Sequence, residues 1–355
     1  MRFGVEAALE EVNRNGGIAG RKLHLIALDD GYEPLRAATN VRKLISENHV
    51  LAVTGNVGTP TAVAAVPIAN EGHTPLVGAF TGAGLLRKTP PDRYIINFRA
   101  SYAEETGAMV DALIDKLHLK PEEIGFFTQR DAYGEAGFKG GLEALKRHGL
   151  TDESKIVQVG YERNTVAIRR GLSQLLLTEI QPKAVIMVGT YKPCGELLKQ
   201  AHANNYWPLF LAVSFVGAND LVAEAGKNSE DTIITQVVPS FVADSAVSKR
   251  YQSAIHALNS EATPGYVSFE GYLVGRMLCL ALEQAKAVDS ESLVTAFENL
   301  GEFDLGFDTK LHLSGSEHQA SHEIWPTVVK DGKVVSFDWN DLQALSDHGG
   351  MLRGK

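Results

Sequence analysis

The chain has 355 residues, 44% hydrophobic and 22% charged, an ordinary globular composition too long for one simple core, so two domains are expected. A formal net charge of -9 with a pI near 5.7 argues against nucleic acid as a partner, because such proteins gather Lys and Arg on one face and no basic stripe is present. No apolar run approaches the roughly 18 to 20 residues that cross a bilayer, and Cys194 and Cys279 allow at most one bridge, so no disulfide framework supports the fold.

The start, Met1-Arg2-Phe3-Gly4, lacks the order of a secretory signal peptide, so either a signal has been removed or the true start lies upstream. Residues 3–14 put Phe3, Val5, Ala8, Leu9 and Val12 on one helical face, and Asn15-Gly16-Gly17 stops that helix. The run from Lys22 to Leu28, ended by Asp29-Asp30-Gly31, predicts a buried strand entering a loop. Helix 34–48 then leads to strand 50–54, helix 60–71 to strand 76–78, and helix 103–118 to strand 124–128. The same alternation predicts helices at 134–148, 165–178 and 193–204, with strands at 155–159, 184–188 and 209–212. A strand at 232–238, helices at 266–287 and 290–299, and a β-rich ending at 309–339 complete the pattern.

Strands alternating with helices of ten or more residues mean parallel sheets covered on both faces. So many α/β units exceed one open sheet and predict two doubly wound lobes, with a ligand crevice at the carboxyl ends of strands. The Gly-rich end, residues 346–355, reads as a loose tail.

Two loops draw attention as an anion cradle. Gly55-Asn56-Val57-Gly58-Thr59-Pro60-Thr61 lies between a strand and a helix, with Thr59 expected at the helix N-cap and Pro60 at the first helical position. Free N–H groups and the helix dipole there suit a carboxylate, while the absence of Gly-Lys-Ser/Thr speaks against a phosphate loop. Gly78-Ala79-Phe80-Thr81-Gly82-Ala83-Gly84 follows the next strand and could bring N–H groups and the Thr81 hydroxyl to the same place. Each loop alone also fits an ordinary turn. Tyr133 and Tyr191 each follow a strand just before a helix, where a ring can lie on an apolar ligand and its hydroxyl can reach a polar group.

Catalytic and metal-binding arrangements are not indicated. His318, His322 and Glu323 do not form HExxH, no GxSxG is present, and Cys194 has no CxxC partner. Asp29-Asp30 reads as a solvated loop edge. No cofactor and no catalytic residue is assigned.

The ordered set of segments 16–23, 29–34, 57–60, 80–83, 98–102, 133–135, 161–165 and 271–272 resembles type I periplasmic solute-binding proteins of the leucine/isoleucine/valine group over nearly the whole chain. The resemblance implies two α/β lobes joined by three crossovers, closing on a ligand like a hinged clamp. The expected division is 1–99 plus 240–312 for the first lobe and 100–239 plus 313–345 for the second. It places the ligand carboxylate at Gly58, Thr59, Phe80, Thr81 and Gly82, and it closes Tyr133 and Tyr191 over the ligand, with Tyr102 a further candidate.

Two departures bear on that reading. The family's ammonium-binding acid should fall in 211–217, where Ser214 stands instead. A buried ammonium without a carboxylate is costly, so either Glu270 substitutes or the ligand carries no amine, as in an aromatic or keto acid. Family members also begin with a strand and a ligand-facing loop ahead of the first helix. A chain without them, through a misplaced start or trimming, is expected to expose the edges of neighbouring strands.

The function implied is a periplasmic or extracellular receptor, without direct membrane insertion, that presents a small carboxylate-bearing solute to the membrane permease of an ABC importer. The alternative is the same clamp as a sensory domain of a signalling receptor, because fold alone does not fix function.

Overall fold

The computed structural model describes residues 1–349. In chain order the elements begin with α1 (Arg2–Arg14), α2 (Pro34–Ser46), β1 (Val53–Thr54), α3 (Thr59–Glu71), β2 (Leu76–Val77) and β3 (Ile95–Ile96). Next come α4 (Tyr102–Leu117), β4 (Ile124–Gln129), α5 (Ala132–Arg147), β5 (Gln158–Tyr161), α6 (Arg169–Leu177) and β6 (Ala184–Val188). They are followed by α7 (Tyr191–Ala203), β7 (Leu209–Ala212), α8 (Ala218–Ala225), β8 (Ile233–Gln236), α9 (Ala246–Leu258), α10 (Tyr266–Gln284) and α11 (Ser290–Glu298). The chain closes with β9 (Gly301–Phe303), β10 (Leu311–Leu313), β11 (Trp325–Lys330), β12 (Lys333–Ser336) and α12 (Leu342–Gly349). No helix among the described residues is long and apolar enough to cross a membrane.

The chain divides into two compact units. Unit 1 holds Met1–Ala100 and Val237–Glu323; unit 2 holds Ser101–Gln236 and the residues from Ile324 onward. The chain therefore passes between them three times, after residues 100, 236 and 323.

Unit 1 is built on the parallel sheet β1-β2-β3 and a small antiparallel pair, β9 and β10. Leu76, Val77, Ile95 and Ile96 are at most 1% exposed, and burying each contributes about 1.5 to 3 kcal/mol. The apolar face of α1, through Val5, Leu9 and Val12, packs with Cys279 of α10. The two helices approach closely because Gly4 has no side chain: a Cβ there would lie 1.8 Å from Ser268 O.

Unit 2 is a seven-stranded sheet of order β12-β11-β8-β7-β6-β4-β5, with β4 to β8 parallel. Every residue of β4, β6, β7 and β8 is buried, as expected of strands covered on both faces. The hairpin β11–β12 turns on Asp331-Gly332, both at positive φ (51° and 69°), the requirement of a tight primed turn. The order β5-β4-β6-β7-β8 reverses between β4 and β6, and ligands of open α/β sheets bind outside the carboxyl ends of strands at such a reversal.

The structure departs from the sequence reading in several places. Residues 22–28 form no strand, because among the described residues none pairs with them to complete a ladder. The expected strand at 155–159 begins at Gln158 and runs to Tyr161, since Glu153–Lys155 is a short 3₁₀ turn. Helices α8, α9 and α12 and strand β3 were not anticipated. Of the segment read as a loose tail, 346–349 continue α12 and 350–355 lie outside the described residues. Residues 313–323, assigned to the second lobe, belong to unit 1 because their backbone extends its sheet. Asn97 N donates to His318 O (2.7 Å), Ala320 N to Asn97 O (3.0 Å) and Ser321 N to Phe98 O (2.9 Å).

Candidate functional site

In unit 1 the two loops of the expected cradle are joined directly. Phe80 N donates to Asn56 O (2.7 Å) and Gly58 N to Phe80 O (3.0 Å), carrying the β1–β2 pairing beyond the strands. The helix cap is Gly58, not Thr59: its φ of 95° suits only glycine, and a Cβ would fall 2.1 Å from the Tyr32 ring. Thr59 is thus the first helical residue and its hydroxyl is not a cap. Instead Thr59 Oγ1 and Thr81 Oγ1 lie 2.7 Å apart, both residues 0% exposed. A pair of hydroxyls carries two protons and its mutual bond uses one, so the other can be given to an acceptor. The first-turn N–H groups of α3 add donors of the same polarity. Gly82 is buried in the same turn, where Ala83 N donates to Thr81 Oγ1 (3.3 Å).

Two arginines hold this turn. Arg87 donates to Thr81 O (3.3 Å), Ala83 O (3.0 Å), Arg99 O (2.9 Å) and Gln319 Oε1 (2.6 Å). The Arg99 guanidinium lies 4.6 Å from the centroid of the Phe80 ring and 3.2 Å from Glu270 Oε1, with both charged side chains buried. Glu270, considered above as an ammonium acceptor, is therefore already engaged by Arg99. His318 is buried as well, its Nδ1 donating to Ile95 O (3.0 Å).

In unit 2, Tyr102 begins α4, whose start is set by a reciprocal cap: Ser101 Oγ accepts from Glu104 N, and Glu104 Oε2 accepts from Ser101 N (2.6 Å). Tyr133 follows the Asp131 cap of α5, which accepts from Tyr133 N (2.9 Å). The rings of Tyr102 and Tyr133 lie 5.1 Å apart and those of Tyr133 and Phe215 4.7 Å apart. Tyr133 Oη donates to Gly189 O (3.2 Å), linking the loops after β4 and β6 at the point where the strand order reverses. Tyr191 follows β6 but stands apart, 37% exposed at the start of α7.

Ser214 does not stand in for an acid; it binds one. Its N–H and hydroxyl donate to Glu105 (2.7 and 3.0 Å), and Thr235 Oγ1 donates to the same carboxylate (2.6 Å). Glu105, 0% exposed on α4, brings a carboxylate to the segment where the sequence lacks one. Neither it, Arg99 nor Tyr161 was singled out in the sequence. Tyr161 Oη donates to Gln129 Oε1 (3.0 Å) and accepts from Thr190 N (2.9 Å), while burial raises its phenol pKa well above the ordinary value. An acidic residue on the buried face of the α4 pattern was the one available signal for Glu105.

Residues 1–333 match the sequence profile of the family described as periplasmic binding protein. A curated relative, Leu/Ile/Val-binding protein homolog 7 of Brucella abortus, is 25% identical over 97% of this chain and 88% of its own length. The crystal structure of a possible leucine/isoleucine/valine-binding protein from Rhodopirellula baltica is 48% identical, with a TM-score of 0.93 over 96% of this chain and 92% of that one. A substrate-binding periplasmic protein from Ralstonia solanacearum is 25% identical, with a TM-score of 0.86 over 95% and 94% of the two chains. The chain belongs to the periplasmic binding protein family, of type I.

Proposed function

We propose that this protein is the solute receptor of an ABC importer and that its ligand is a small carboxylate-bearing molecule. The carboxylate is received by the Thr59 and Thr81 hydroxyls and the first-turn N–H groups of α3. Tyr102, Tyr133 and the more exposed Tyr191 of unit 2 contribute aromatic surface to the apolar part. The observation that carries this reading is the buried Thr59–Thr81 hydroxyl pair at the start of α3, because it offers a proton where the helix dipole favours negative charge.

Two observations favour an amino acid over a deaminated acid. The Brucella relative is named as a Leu/Ile/Val-binding protein homolog and the Rhodopirellula structure as a possible leucine/isoleucine/valine-binding protein, and Glu105 supplies a buried carboxylate beside Ser214. In this reading both units contact one ligand and the bound form is the more closed. It acts outside the cytoplasmic membrane and is read by a membrane permease.

The test is mass spectrometry of whatever small molecule is released when the purified protein is denatured, followed by calorimetric titration of the ligand-free protein with leucine, isoleucine, valine, 4-methyl-2-oxopentanoate and phenylacetate. Saturable binding of the three amino acids is expected. Binding of the deaminated acids alone moves the assignment to that class, and binding of none, with a released molecule lacking a carboxylate, ends the reading. Solution scattering should report a smaller radius with ligand; an unchanged radius counts against closure.

A further inference from the structure

Residues 318–321 of unit 1 are zipped to the residues that follow β3, with Asn97 N donating to His318 O (2.7 Å), Ala320 N to Asn97 O (3.0 Å) and Ser321 N to Phe98 O (2.9 Å). The same run reaches the turn that carries the Thr81 hydroxyl. Gln319 Oε1 accepts from Arg87 Nε (2.6 Å), and Arg87 in turn donates to Thr81 O (3.3 Å) and Ala83 O (3.0 Å).

His318, within this run, is buried, and both of its ring nitrogens face oxygen acceptors. Nδ1 lies 3.0 Å from Ile95 O, and Nε2 lies 3.5 Å from Glu298 Oε1. A neutral imidazole carries one proton, so either tautomer sets a lone pair against an oxygen; the imidazolium alone can donate to both. Away from water such an apposition is not relieved by solvent.

The surrounding charges suit a cation at this place. Glu298, on α11, accepts from Arg93 Nη1 (2.8 and 2.9 Å), and Arg93 pairs with Glu291 of the same helix (3.0 Å). Tyr94 donates to Glu291 and stacks on His73, with ring centroids 5.3 Å apart. Two carboxylates thus share one guanidinium, and a proton on His318 makes the group neutral. Nearby, Lys88 and Asp92 pair with each other (2.7 Å), as do Lys310 and Glu302 (3.0 Å), while β10 brings the exposed His312, whose N–H donates to Ala320 O (3.1 Å). On the run itself, Glu317 accepts from Gln319 N (2.8 Å), and Gln319 Nε2 donates to His322 Nδ1 (2.9 Å). Protonating His322 removes that last bond, so its titration loosens the run in acid, the opposite sense to His318.

We infer that His318 is a proton-operated latch on the turn that receives the ligand carboxylate. As the imidazolium it ties residues 318–321 to Ile95 and Glu298 and, through Gln319 and Arg87, steadies residues 81–83. Loss of the proton as pH rises breaks the tie to Glu298, the turn loosens, and affinity for the solute falls because binding must then order it. The tie is complete on the acid side of the His318 titration, is lost on the alkaline side, and is lost again where Glu298 itself takes up a proton. The effect on affinity rests on the Thr59–Thr81 reading; the latch itself does not.

The experiment follows the ring nitrogens of each histidine by NMR in the ¹⁵N-labelled, ligand-free intact chain from about pH 5.5 to 8.5. Amide exchange at residues 79–84, 97–98 and 318–321 is measured in the same samples and corrected for intrinsic base catalysis. Both His318 nitrogens are expected to be protonated at the acid end, and corrected exchange should quicken at least tenfold with the midpoint of the His318 titration. A His318 ring that keeps one protonation state throughout overturns the inference, as does an exchange step that follows His73, His312 or His322 instead. His318→Gln should abolish the step; because that variant replaces a buried side chain, the parent titration decides alone if it fails to fold. Calorimetry with L-leucine and 4-methyl-2-oxopentanoate at pH 6 and pH 8 should show at least threefold weaker binding at pH 8. Equal affinity beside a stepped exchange profile overturns the control of solute binding. Failure of both acids to bind at either pH counts against the solute reading, while the exchange profile still decides the latch.

Discussion

Replacing Thr59 with Val keeps side-chain volume and removes one hydroxyl of a fully buried pair 2.7 Å apart. Leaving the Thr81 hydroxyl short of its partner should destabilise unit 1 by about 1 to 2 kcal/mol. Thr81→Val should cost more, about 1 to 3 kcal/mol, because Ala83 N then also loses its acceptor at 3.3 Å. The double variant leaves no orphaned hydroxyl and keeps only the Ala83 defect, so its loss should fall short of the sum of the singles by at least about 1 kcal/mol. Urea unfolding followed by helical circular dichroism measures this; tryptophan emission does not, since Trp207, Trp325 and Trp339 all lie in unit 2. For any acid that binds the parent, the double variant should lose at least tenfold in affinity, about 1.4 kcal/mol. Strictly additive single losses would refute the mutual hydrogen bond, and undiminished affinity in the double variant would remove the pair from the site.

Other outcomes follow from neighbouring geometry. Glu270→Gln leaves the Arg99 guanidinium buried without its carboxylate, a loss of about 3 to 5 kcal/mol that a combined Arg99→Met, Glu270→Leu variant should largely recover; calorimetric unfolding of both proteins decides. Arg87→Lys replaces a planar fork holding four acceptors with a point charge, so amide exchange at residues 79–84 should quicken, and unchanged exchange would clear Arg87 of holding the turn. Burial of Glu11 acts to raise its carboxyl pKa, but hydrogen bonds from Tyr272 and Arg250 outweigh it and the net shift is downward. That stabilisation is present above the ordinary carboxyl value of 4.5 and is lost as pH falls through the lower folded value. The Glu11→Gln protein should therefore show a flatter acid limb in its melting temperature, and identical limbs would contradict the assignment. Both cysteines are buried, Cys279 with its thiol pKa pushed up to about 12 and Cys194 further, so a thiol reagent at pH 8 should count none until denaturant is added and two afterwards.

What could be read along the chain was what depends on neighbours in sequence. The helix faces, the apolar strands of unit 2 and the loops after β1 and β2 all declare themselves within a few residues, and the alternation of strand and helix gives parallel sheets almost by itself. Thr59 was recognisable as a polar group at a helix start even though the cap is Gly58, because boundary errors of one residue do not move a side chain out of its turn.

The misses share a different cause. Residues 22–28 have a strand's apolar pattern, yet strand is a property of two segments, and among the described residues none pairs with this one. Ser214 and Glu270 were weighed as single residues, one lacking a charge and the other supplying it. Each turns out to be half of a pair, with Glu105 109 positions before Ser214 and Arg99 on the approach to the first passage between units. Buried charge is where such errors concentrate, because a carboxylate or guanidinium taken out of water must be answered by specific partners, and the chain order does not say from which element they come. An acid on a predicted buried helix face is thus the sequence feature to pursue in relatives that lack the acid in 211–217: the α4 position of Glu105 should be acidic where Ser214 is retained. A relative with Ser at 214 and an apolar residue at 105, still binding an amino acid, would break the link between the two.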